Sequence, residues 1–114
     1  MVQDQVKRQI FELHATLCKA IADPKRLLII EALRNGPRTV GDLSTDLELS
    51  QSNVSQHLAI LRERGVVRAQ RLGNNVFYSL PNRKVLRAVD LLREVMTDML
   101  ADQGRRLNAI EAKG

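Results

Sequence analysis

Thiols and aromatic rings are scarce in this chain. Its 114 residues include one cysteine, Cys18, which excludes an intramolecular disulfide framework and fits a reducing compartment. Tryptophan is missing and aromatic residues make up 3% of the sequence, too few for a protein that holds single strands or RNA by stacking bases on rings. No apolar run approaches the ~20 residues of a membrane span, and no signal-peptide pattern opens the chain. The expected location is therefore the cytoplasm, with no membrane partner. Enzyme chemistry is equally bare: there is no Gly-rich phosphate loop, no complete metal motif and no plausible Ser/His/Asp or Cys/His set. The expectation is a protein that is not an enzyme.

What the chain does have is positive charge and periodicity. A net charge of +5 favours a polyanionic partner, although the same excess also serves plain solubility. Val6, Ile10, Leu13, Leu17 and Ala20 step by fours and threes, which predicts a first amphipathic helix. Asp23 then caps and Pro24 starts a second helix running to about Arg34, ended by Asn35-Gly36 and Pro37. Thr39 and Asp42 form a capping-box variant for a short third helix through about Leu47. Ser50 caps a fourth, and Gly65 marks its end.

That fourth helix has two chemistries. Val54, Leu58 and Leu61 form an apolar stripe at i, i+4 and i+7. Around them stand Gln51, Ser52, Asn53, Ser55, Gln56 and Arg62, amides and hydroxyls that donate to and accept from base edges, where a merely solvated helix would carry Lys and Glu. After Gly65 the period changes to that of β-strands. Two β-prone runs flank Gly73-Asn74-Asn75, predicting a hairpin over about 66–80. A long last helix follows over about 82–112, with Asn82 as its expected cap and an apolar seam that includes Val89, Leu92, Met96 and Met99. The resulting fold class is mostly α with a β-hairpin wing, a single winged helix–turn–helix domain spanning 1–114.

Three segments carry a family resemblance. Leu17-Cys18-Lys19-Ala20-Ile21-Ala22-Asp23-Pro24-Lys25-Arg26-Leu27 resembles the opening of the ArsR/SmtB transcriptional repressors. The run from Leu49 to Arg62 resembles their recognition helix, and Gly65-Val66-Val67 with Arg71 to Leu80 resembles their wing. The resemblance implies a homodimeric repressor on a double-stranded DNA operator, released when an inducer binds, most often a metal ion. The family's inducer sites do not carry over. Its third-helix Cys-Val-Cys-Asp-Leu motif is matched here by Thr39-Val40-Gly41-Asp42-Leu43, and no histidine follows residue 57 for a last-helix zinc site.

Gln51, Ser52, Asn53, Ser55 and Gln56 are thus expected in the major groove, on base edges or phosphates. His57 and Arg62 are placed at the DNA backbone, with His57 alternatively a core-edge residue bonded to a carbonyl. Arg71, Asn74 and Asn75 lie at the wing tip, the asparagines serving either turn chemistry or DNA. Between residues 50 and 80, Arg62, Arg64, Arg68 and Arg71 face Glu63 alone, an excess of three positive charges. The dimer is expected through the first and last helices, by way of Ile10, Leu13, Leu17, Val89, Leu92, Met96 and Met99.

Asp90, Glu94, Asp98 and Asp102 share one helix face, read as solvated or as oxygens for a hard cation. Cys18 reads as a small core residue. With His14 one turn earlier it also supplies two candidate sensor ligands, too few for a metal site, so no cofactor is expected and the inducer stays open. A winged helix that binds only protein is the alternative to a DNA-binding regulator.

Overall fold

Capping residues decide where the helices begin. In the computed structural model, which describes residues 1–113 and their side chains through residue 111, α1 spans Val2–Ile21 and α2 spans Pro24–Ala32. Helices α3 (Val40–Leu47) and α4 (Gln51–Glu63) follow, then strands β1 (Arg68–Leu72) and β2 (Asn75–Ser79), and last α5 (Lys84–Lys113). The domain expected over 1–114 is thus described up to residue 113, and Gly114 lies outside the described residues. None of the described helices is long and apolar enough to cross a membrane.

The Asp23 carboxylate accepts the Lys25 and Arg26 amides at the start of α2, with Pro24 at its first position. Helix α2 ends at Ala32, two residues short of the expected Arg34. Thr39 and Asp42 close a full capping box on α3, and Ser50 accepts the Asn53 amide on α4. Between α3 and α4 the chain turns through Glu48, whose φ of 55° places it in the left-handed region. Helix α4 ends in a Schellman motif: the Gly65 amide bonds the Arg62 carbonyl and the Val66 amide bonds the Leu61 carbonyl. Gly65 has a φ of 77°, which explains why a glycine stands there.

The chain divides into two compact units, Met1–Asn82 and a second one from Arg83 onward. In the first, α2, α3 and α4 pack on one another, and α1 touches α2 and α4. Ile29, Ile30, Leu33, Leu43, Val54, Leu58, Leu61 and Val67 are all but sealed from solvent. The predicted α4 stripe is thus wholly core.

The hairpin pairs antiparallel from Arg68 with Ser79 to Leu72 with Asn75, around a two-residue loop of Gly73 and Asn74. Only Gly73 uses positive φ (63°), so the asparagines are not held there by left-handed geometry. A third segment joins this sheet: Arg38 and Tyr78 exchange both backbone hydrogen bonds, at 3.0 and 2.8 Å. The bridge stays one residue long because Pro37 has no N–H to offer and the Thr39 amide turns to Asp42.

The second unit is α5. It begins at Lys84, one residue after an Asn82 cap would start it, and its 30 residues span about 45 Å. Gly104 does not interrupt it. Leu86 and Val89 are buried, whereas Leu91, Leu92, Val95, Met96, Met99, Leu100, Leu107 and Ile110 are exposed. Arg93 pairs with Asp90 and Arg106 with Asp102 along its surface.

Cys18 corrects the sequence reading. It is exposed, not core, because Ala20 is the residue of α1 that turns inward and Cys18 lies two positions (about 200°) around the helix from it.

Candidate nucleic-acid interface

Because Val54, Leu58 and Leu61 anchor α4 on the core, the opposite side of the helix must face outward. Gln51, Ser52, Ser55, Gln56 and Arg62 are exposed there. Asn53 is half-buried; its backbone N–H goes to the Ser50 cap, and its side-chain Oδ1 is shielded without a partner among the described residues. Of the five groove residues expected from sequence, Asn53 is therefore the least available. Arg71, Asn74 and Asn75 are exposed at the hairpin tip, as is Leu72.

Helix and wing enclose a shallow concavity of about 380 Å³, lined by Ser55, Ala59, Arg62, Glu63 and Tyr78. Tyr78 was not singled out in the sequence. Its place follows from the Arg38 bridge, which holds β2 beside α3.

His57 is half-buried at the edge of the core, yet no carbonyl among the described residues binds it. Its Nδ1 lies 3.2 Å from Nη1 of Arg26. The same guanidinium donates from Nε to the Ala20 carbonyl at 2.5 Å and from Nη2 to the Lys19 carbonyl at 3.4 Å. Both carbonyls belong to the last turn of α1, whose carbonyls have no partner within the helix. The sequence reading passed over Arg26, although one signal was present. A cation in the first turn of α2 opposes that helix's dipole, so it needs a specific partner elsewhere.

Asp23 stands beside this cluster. The hydrogen bond from the Arg26 amide, helped by that from Lys25 and by the nearby guanidinium, holds its carboxyl below the ordinary range against an opposing effect of burial. A lowered folded value means that Asp23 stabilises the fold above the ordinary carboxylate pKa, and that this is lost as pH falls through the folded value. Thermal melts at pH 6 and pH 3 should show a larger fall in Tm for the wild type than for Asp23→Asn, which caps without titrating. Equal falls would take Asp23 out of the acid response.

On α1, Ile10, Leu13 and Leu17 are exposed, at 59, 70 and 42%, and His14 is exposed with Cys18. On α5, Leu92, Met96 and Met99 are likewise open, whereas Val89 is buried at 8%. Among the described residues no three His, Cys, Asp or Glu side chains gather as a metal-ligand set.

Comparison with known proteins matches this architecture. The family model described as bacterial regulatory protein, arsR family, covers residues 23–69. An uncharacterized HTH-type transcriptional regulator of Mycobacterium tuberculosis, Rv0081, is 37% identical over 106 residues, 92% of this chain and 93% of its own. The transcriptional activator HlyU of Vibrio cholerae is 43% identical over 79 residues, 69% of this chain and 73% of its own. The crystal structure of Rv0081 superposes with a TM-score of 0.75, covering 82% of this chain and 95% of that one. The solution structure of the homodimeric winged helix-turn-helix domain of Mb0332 from Mycobacterium bovis gives 0.74 at 29% identity, over 82% of this chain and 87% of that one.

Proposed function

The chain belongs to the arsR family of bacterial regulatory proteins and is a DNA-binding transcriptional regulator, and from that premise we propose that it acts in the cytoplasm as a homodimeric repressor on an inverted-repeat operator. The observation that carries the proposal is the exposed amide and hydroxyl face of α4, set beside an arginine-bearing wing. Short donor–acceptor side chains distinguish base pairs in the major groove, and arginines neutralise phosphates. Two copies of α4 about 34 Å apart would read successive major grooves of a pseudo-palindrome.

The homodimeric state of Mb0332 supports the same assembly here. So do the exposed apolar residues Ile10, Leu13 and Leu17 of α1 and Leu92, Met96 and Met99 of α5. An inducer that lifts the protein from its operator completes the proposal, which includes no resident cofactor.

Binding to duplex DNA from upstream of the protein's own gene, against a random duplex of equal length, tests this reading. Gln56→Ala and Ser55→Ala should each reduce the discrimination between the two by about 1–3 kcal/mol per lost base contact. Equal losses on both duplexes would show that α4 does not read sequence.

A further inference from the structure

Resting on the DNA-binding reading above, we propose that Arg26, which faces no groove residue itself, is a positioning residue that makes His57 a neutral hydrogen-bond donor to a DNA phosphate. An arginine guanidinium only donates. The 3.2 Å approach of Nη1 therefore requires Nδ1 of His57 to accept, and the hydrogen-bond network assigns the ring as the tautomer with its proton on Nε2. Nε2 has no partner among the described residues, and it is not among the shielded polar atoms left unbonded. Its N–H is therefore free to solvent, on the same helix as the exposed Gln56.

Arg26 cannot drift from this arrangement, because its other two nitrogens are held by the Ala20 and Lys19 carbonyls. One planar fork, 31 residues from His57 in sequence, thus ties the last turn of α1 to the reading helix. The ring is aimed by the fork, and its far nitrogen meets the phosphate.

Amide isosteres separate the two nitrogens. Asparagine places its amide only where Nδ1 lies, whereas glutamine reaches to Nε2 with its nitrogen and still offers its Oε1 to Arg26. His57→Gln should keep the phosphate donor and bind operator and random duplex within about twofold of wild type. His57→Asn should keep the partner for Arg26 but weaken both duplexes by about tenfold per subunit, as for one lost hydrogen bond to a charged group in each. Arg26→Ala should also cost about tenfold per subunit on both, and the double variant Arg26→Ala/His57→Ala should cost no more than either single change.

Asparagine binding as well as wild type, or a double variant losing about a hundredfold per subunit, overturns the proposal. The isostere pair leaves Arg26 intact, so it decides the Nε2 donor, without which Arg26 has nothing to position, even if Arg26→Ala does not fold. Wild type that binds neither duplex overturns the functional reading and this inference together. Wild type that binds, with indifferent His57 variants, overturns this inference alone.

Discussion

Replacing Leu92 and Met96 together with aspartate should convert the protein to a monomer and weaken operator binding by about 10²–10⁴-fold, the range lost when two linked binding events become independent. Both residues are more than half exposed on α5. A free subunit would present them, with Met99, Val95 and Leu91, as an apolar face of a kind that monomers rarely leave open. Aspartates buried face to face across a two-fold axis would be unpaired charges, whose desolvation nothing repays. The helix itself should survive, since the substituted positions lie on its surface and aspartate lowers helix propensity only modestly. Sedimentation velocity and a binding titration on one preparation check the prediction. A variant that stays dimeric with full affinity would remove α5 from the interface, and the exposed α1 residues Ile10, Leu13 and Leu17 would then be the next positions to change.

The second large effect is that of salt. If each subunit lays Arg62 and Arg71 against phosphates, a dimer neutralises about four, and affinity should fall by about 10²-fold between 50 and 200 mM salt, the neutral His57 donor adding nothing to the slope. The random duplex should show nearly the same slope, because phosphate contacts carry no sequence information. Arg71→Ala, two changes per dimer, should flatten the slope by close to two and weaken both duplexes alike. An unchanged slope would take the wing off the DNA backbone. Arg71 suits this role because nothing in the subunit competes for it: it is exposed and forms no ion pair among the described residues.

Much of this architecture was legible because local chemistry dictates it. Asp23 with Pro24, Thr39 with Asp42, Ser50, and Gly65 each announce a helix end through a bond to a neighbour a few residues away. The spacing of Val54, Leu58 and Leu61 likewise settles which side of α4 faces the core, and so which side faces outward.

What escaped the sequence reading depends on distance along the chain. The Arg26–His57 pair is 31 residues apart and follows no period. The Arg38–Tyr78 bridge is made by backbone atoms, which every residue type but proline supplies, so no composition marks it. Cys18 was misplaced for another reason. The periodicity of α1 shows that it has an apolar side, but not which of its residues the same subunit covers, and only Ala20 is buried there.

That backbone bridge also bears on how the regulator could acquire new targets. A two-stranded hairpin alone is marginal in water, and this one is moored at its root by main-chain hydrogen bonds between Arg38 and Tyr78. Substitutions at Arg71, Asn74 and Asn75 therefore leave the mooring untouched. The tip is free to vary while its base stays fixed, so a changed preference for DNA can arise at the wing without the fold having to be found again.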